Sequence, residues 1–123
     1  MAKRNELGKW GEEIAREHLL KNGYTIMEQN IHVGHKEIDI IALKSNTMIF
    51  VEVKTRLSDL EQAIEAVDQK KMKRMVRAAD SILSSFSIPL EYRFDIIAVI
   101  GSPKTDYSIH HIKDAFMPQI ENS

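Results

Sequence analysis

Between Glu37 and Lys54 the chain reads EIDIIALK, SNT, MIFVEVK, two period-two alternations either side of a short polar break. That pattern predicts a β-hairpin. Side chains alternate between faces along a strand, so Glu37, Asp39, Ile41 and Leu43 share one face, as do Met48, Phe50, Glu52 and Lys54 on the next run. With Lys44 to Thr47 as the turn, the expected cross-strand partners are Leu43 with Met48, Ile41 with Phe50, Asp39 with Glu52 and Glu37 with Lys54. The other face, Ile38, Ile40 and Ala42 with Ile49, Val51 and Val53, is wholly apolar. Both faces carry apolar residues, so the hairpin is expected to be covered on both sides.

Helical periodicity marks residues 5 to 22, where Leu7, Gly11, Ile14 and His18 form a stripe flanked by Trp10 and Ala15, and Asn22-Gly23 supplies a stop. Tyr24 to about Ile31 alternates weakly as a half-buried strand ended by Gly34. After a polar stretch from Thr55 to Leu60, one long helix is expected from about Gln62 to Ser85. Ile64, Val67, Met75, Ala79, Ile82 and Phe86 lie along its stripe, and Lys71 falls on the same side. Pro89 ends the connection, YRFDIIAVI from Tyr92 to Ile100 reads as a strand, Gly101 to Pro103 as a turn, and Tyr107 to Ile112 as an edge strand. Strand, crossover helix and strand predict a right-handed parallel unit. The expected fold class is α/β: the order α, β, β, β, α, β, β in a mixed sheet with helices on both faces. Residues 1–117 form one domain in this reading, and 118–123 a frayed tail.

Composition narrows the chemistry. At 123 residues, the chain suits one domain. Seventeen Lys plus Arg against eighteen Asp plus Glu leave a formal charge of −1, so any contact with nucleic acid must be local. No cysteine is present, which excludes disulfides and thiolate metal sites and leaves oxygen or histidine ligands. No apolar run approaches the roughly 20 residues of a membrane span, and the start MAKRNELGKWGEE has no signal-peptide core. A cytoplasmic protein without membrane contact is expected.

Carboxylates directly opposite one another destabilise a sheet unless something neutralises them, and a divalent cation bound through oxygen would do so. Same-face residues of a strand lie about 6.5–7 Å apart, so Glu52 can hold a cation while Lys54 points at a group bound to it. That spacing suits phosphodiester hydrolysis, with Asp39, Glu52 and the Val53 carbonyl as ligands to Mg2+ or Mn2+. The plainer alternative is a surface hairpin laced by salt bridges, Glu37 with Lys54 and Lys54 with Asp39.

Asp39, Glu52 and Lys54 resemble the core of the PD-(D/E)XK nuclease superfamily, with Ile38 where that pattern usually has proline. Nearly the whole chain resembles the YraN-like proteins, predicted bacterial endonucleases of that superfamily. The matching segments are Leu7-Gly8, Gly11-Glu12 and Ala15, Asn30, EIDIIA from Glu37, FVEVKTR from Phe50, Ala66-Val67, Lys71 and Arg74, and RFDIIAV from Arg93. His35-Lys36 departs from the glycine that the family often has before the glutamate. The resemblance implies a restriction-endonuclease-like αβββαβ core, a divalent metal, and action on DNA or a related nucleic acid; the expected substrate is DNA, with branched or structured DNA as a candidate form. Helical geometry leaves both Glu12 and Glu13 as surface candidates; the resemblance selects Glu12 as an added acidic group. Glu37 is assigned to tuning the lysine or reaching the metal through water.

KKMKRMVR places Lys70, Lys71, Lys73, Arg74 and Arg77 within eight residues, the one dense basic patch of a near-neutral chain. Such a patch suits phosphate contact; the competing reading is a solvated helix face neutralised by Glu61, Glu65 and Asp68. The histidines show no zinc-like spacing, and His18 reads as a packed residue. Asp95 needs a partner such as Arg93, in a structural role, and Trp10 reads as a core or interface anchor. Two rival functions remain open at this stage: a catalytically inactive nucleic-acid-binding module with the same fold, and an assembly protein with no nucleic-acid ligand. A homodimer is compatible with cutting two strands, but nothing in the chain establishes it.

Overall fold

The computed structural model describes residues 2–34, 36–85 and 91–115. Its elements run α1 (Ala2–Lys21), β1 (Thr25–Val33), β2 (Lys36–Lys44), β3 (Thr47–Arg56), α2 (Leu60–Glu65), α3 (Gln69–Leu83), β4 (Glu91–Ile100) and β5 (Ser108–Ile112). The five strands form one mixed sheet in the order β1-β2-β3-β4-β5, with β3 and β4 parallel and the other neighbours antiparallel. The α/β class, the hairpin, the parallel crossover pair and the edge strand are as the pattern predicts. Phe86, Pro89 and the tail from Pro118 lie outside the described residues.

Helix α1 starts earlier than expected, at Ala2, and stops where Asn22-Gly23 says it should. Gly23 adopts φ +86°, while its N–H donates to Leu20 O at 3.2 Å and that of Tyr24 to Leu19 O at 3.0 Å. These two bonds satisfy carbonyls that the helix end would otherwise orphan. The buried stripe is rotated toward Gly11, Ala15 and Leu19. Ala15 and Leu19 pack on Tyr24, Ile40, Ala42, Ile49, Val51, Val53, Ile97 and Val99. Gly11 lets the helix lie directly on β3, since a Cβ there would come within 2.9 Å of both Thr55 Cβ and Cγ2. On the other face Met75, Ala78 and Ala79 of α3 cover Ile38, Ile41, Met48, Phe50 and Phe94. The rings of Phe50 and Phe94, adjacent in register, stack at 5.5 Å.

Four expectations are corrected. The single helix from Gln62 to Ser85 is two helices, because Asp68 accepts from Lys71 N at 2.9 Å and starts α3 afresh after Ala66 to Asp68. Thr55 and Arg56 belong to β3 rather than to a polar connection. The hairpin turn holds only Ser45 and Asn46, with Lys44 and Thr47 paired and Ser45 at φ +57°; the register inside it is unchanged. Ile38 packs with the α3 layer, not with Ile40 and Ala42. The cause lies next door: Asn30, between the rungs Gln29–Ile40 and Ile31–Ile38, has φ +51°, and a bulge interrupts β1 between Ile26 and Glu28. The left-handed Asn30 lies opposite Asp39, where the strict alternation breaks, while the bulge lies farther along, opposite Ile41 and Ala42.

A candidate metal and phosphate site at the end of the hairpin

The β2–β3 ladder keeps the predicted pairs Leu43–Met48 and Ile41–Phe50 and ends at Ile40–Val51. The expected rungs Asp39–Glu52 and Glu37–Lys54 therefore do not form as ladder pairs. Instead the Asp39 side chain bridges the strands, its Oδ2 accepting from Val53 N at 2.8 Å. Glu37 turns to its β1 neighbour His32, with 3.4 Å between Oε2 and Nε2, and the pair is exposed.

Glu52 is 2 % exposed, and its Oε2 lies 3.4 Å from both Lys54 Nζ and Lys71 Nζ. Its Oε1 is buried and has no hydrogen-bond partner. Burial and then the neighbouring Asp39 charge push the Glu52 carboxyl up to about 7, against the opposing pull of Lys71 and Lys54. Asp39 is raised too, chiefly by burial and further by the Glu37 charge, and held back by the Val53 N–H, by Lys71 and by side-chain hydrogen bonding with Glu52. Lys71 turns inward because it shares the sheet-facing side of α3 with Met75, which is fully buried.

Helix α1 adds Glu12. Its carboxyl is raised by burial and by Asp39, with a smaller rise from Glu37, while a hydrogen bond from the Asn30 side chain lowers it. Glu13 points away and pairs with Arg16 at 3.3 Å on the surface. A cleft of about 780 Å³ opens beside these groups, lined by Glu12, Val53, Lys54, Arg56, Leu57 and Gln62 among others. Lys70, Lys73, Arg74 and Arg77 are exposed on α3.

The oxygen donors suit a hard divalent cation. Two buried carboxylates sit side by side, one oxygen has no partner, and Val53 adds a carbonyl on the Asp39 side, because a strand residue points its N–H and C=O to the same edge. Among the described residues no three His, Cys, Asp or Glu side chains form a metal-binding group. Any ion here would complete its shell with water and substrate, as magnesium commonly does.

Sequence reasoning matched Asn30 to the family but gave it no role, whereas the fold makes it matter both to the bend and to Glu12. It also treated His18, Asp95 and His111 separately, whereas the fold joins them. His18 Nε2 lies 3.1 Å from His111 Nδ1, and His111 Nε2 lies 2.7 Å from Asp95 Oδ2. Asp95 is paired with Arg93 as expected, at 2.8 Å. Trp10 packs on the edge of Tyr107, ring centroids 5.2 Å apart.

No helix among the described residues is long and apolar enough to cross a membrane. Residues 11–99 match the model of the family described as uncharacterised protein family UPF0102. A UPF0102 protein of Bacteroides thetaiotaomicron is 50% identical over 121 residues, covering 98% of this chain and 99% of its own. One from Parabacteroides distasonis is 47% identical over 117 residues, covering 94% and 96%. Another from Flavobacterium psychrophilum is 44% identical over 117 residues, covering 94% and 98%. The matched span includes Glu12, Asp39, Glu52, Lys54 and Lys71, and on these likenesses the chain belongs to the UPF0102 family.

Proposed function

We propose that this protein is a metal-dependent endonuclease of the restriction-endonuclease-like fold, hydrolysing phosphodiester bonds in DNA. One observation carries the reading: Glu52, buried beside Asp39, presents one oxygen to two lysines and keeps the other without a partner. Asp39, Glu52 and the Val53 carbonyl would hold Mg2+ or Mn2+, which supplies Lewis acidity and a water acidified toward neutral pH.

The chain's own residues do the rest. Val53 N–H fixes the Asp39 carboxylate against β3. Lys54 and Lys71 approach from β3 and α3, so a phosphate beside Glu52 meets an ammonium on each side, where negative charge develops during displacement. Glu12, its carboxyl raised by burial, is suited to hold a proton of the water or leaving group from the α1 side. Glu37 remains at the rim, its field reaching Asp39 and Glu12. Lys70, Lys73, Arg74 and Arg77 extend the positive charge along α3 for backbone contact. A homodimer would present two such sites to a duplex.

The test is cleavage of branched, flapped and single-stranded DNA by purified protein with Mn2+. Lys54→Ala and Lys71→Ala are each expected to lower the rate by about 10²–10³-fold while leaving DNA binding within a few-fold. Undiminished cleavage in Lys54→Ala would remove the lysine from the mechanism. Binding without turnover under all metals would favour a non-catalytic module on the same fold.

A further inference from the structure

The α1 side of the sheet carries a second set of titratable groups that the chemistry above does not use. Asp95, fully buried on β4, accepts from Arg93 Nε and a second guanidinium nitrogen at 2.8 Å each, and from Asp114 N at 3.0 Å. Burial pushes its pKa upward, but the hydrogen bonds from His111, Arg93 and Asp114 N–H outweigh this and hold it at about 2. His111 Nε2, 2.7 Å from this carboxylate, must donate. Its Nδ1 is then bare when the ring is neutral, and accepts from His18 Nε2–H at 3.1 Å. His18 Nδ1, bare in turn, faces Asn22 Nδ2 at 3.4 Å, an amide oriented by its own bond to His18 O at 2.7 Å. The chain runs in one direction, with every proton assigned.

A bond between two ring nitrogens needs one N–H and one bare nitrogen. The pair therefore survives with no added proton, or with one, and fails with two, when N–H faces N–H between two positive rings. We infer that His18, His111 and Asp95 form a pH-operated latch that fastens the C-terminal half of α1 to the β4–β5 edge, closed at neutral pH and opened by the second proton.

The groups facing the latch are Arg93 and Asp95 from β4, and His111, Lys113 and Asp114 from β5 and the turn after it. Tyr24 faces it from the loop after α1; its hydroxyl accepts from Arg93, and its ring lies under Lys44 Nζ of β2 at 4.7 Å. Of these residue types, histidine alone ordinarily changes charge between pH 5 and 8. His18 is lowered from 6.5 by burial, then by His111 and Lys113. A lowered histidine contributes stability above 6.5 that is lost as pH falls through its folded value, so acid opens the latch.

Hydrogen exchange on the full chain tests this, because it separates local opening from global stability. Amides of α1 from Ile14 to Lys21 and of β5, normalised to β3, are expected to lose protection by up to about tenfold per pH unit below 6.5. In His18→Gln the amide can donate to His111 or accept from it but takes up no proton, so protection at neutral pH is expected to persist and its acid loss to disappear. Wild-type protection that ignores pH, or an acid loss undiminished in His18→Gln, overturns the latch. Should that variant not fold, ring 15N shifts of the wild type decide. Both rings must be Nε2–H tautomers near pH 8, and α1 must loosen as the second ring titrates; Nδ1–H tautomers, or a protected α1 with both rings charged, overturn it.

Discussion

The carboxylate of Asp39, one residue beyond the last rung of the β2–β3 ladder, accepts at 2.8 Å from the main-chain N–H of Val53, two residues beyond it. A side chain thus closes the gap that the backbone leaves, and the same carboxylate faces Glu52. Asp39→Asn keeps an acceptor and removes the repulsion, so stability at pH 8 is expected to hold or rise while Mn2+ binding is lost. Asp39→Ala leaves a buried N–H without a partner, and about 1–3 kcal/mol of stability should disappear in urea unfolding. Equal stability of the two variants would show that the Val53 bond contributes nothing.

Glu52 sets the pH behaviour of the metal-free protein. Its folded pKa is raised from 4.5 to about 7, so the stability it contributes is fully present below 4.5 and is lost as pH rises through about 7. The loss is on the order of 3 kcal/mol, since each pKa unit corresponds to about 1.4 kcal/mol. Thermal melts without divalent ions should fall across this window, recover with Mn2+, and flatten in Glu52→Gln. Because the lowered His18 loses stability in the opposite direction below 6.5, the decisive melt is that of His18→Gln, and one that stays level from pH 5 to 8 in that background contradicts the buried carboxylate pair.

Two glycines of α1 should respond oppositely to alanine. A Cβ at Gly11 would collide with Thr55, whereas nothing lies within 4 Å of one at Gly8. Gly11→Ala is expected to cost about 1–3 kcal/mol and to shift Glu12 away from Asp39. Gly8→Ala should stabilise by up to about 1 kcal/mol through helix propensity. Denaturant unfolding of the pair is the check, and similar effects would mean that α1 does not lie on β3 at Gly11.

Lys70, Lys73, Arg74 and Arg77 stand exposed on α3 on the side continuous with Lys71. If they contact phosphates, neutralising each should flatten the salt dependence of duplex binding by about 0.9 per contact, with little change in sequence preference. Neutralising Lys104, on the turn before β5, serves as the control. A salt slope unmoved by any of the four would leave the stripe as a solvated face.

Much of the site was legible in one dimension. Period-two alternation from Glu37 to Lys54 set which residues share a face, and even a wrong turn length left Ile41 opposite Phe50, because pairing outward from a symmetric turn conserves register. The expectation of one long helix fails because Ile64, Val67 and Met75 stay in helical phase across the break; the Asp68 cap at Lys71 N separates α2 from α3. Ile38 departs from the face that alternation of β2 predicts, because the left-handed residue opposite, Asn30, lies on the neighbouring strand and leaves no trace in the pattern of β2 itself.

Local order in the chain therefore determined the elements, the hairpin register and the presence of Asp39, Glu52 and Lys54 at one end, since strand and helix periods act between near neighbours. Tertiary structure decided that Lys71 reaches Glu52, that Glu12, which only the family resemblance had singled out over Glu13, faces Asp39, and that His18 meets His111 across 93 positions. Those contacts depend on how helices seat on the sheet, through the close approach at Gly11 and the packing of Met75, and no periodicity along the chain encodes that seating.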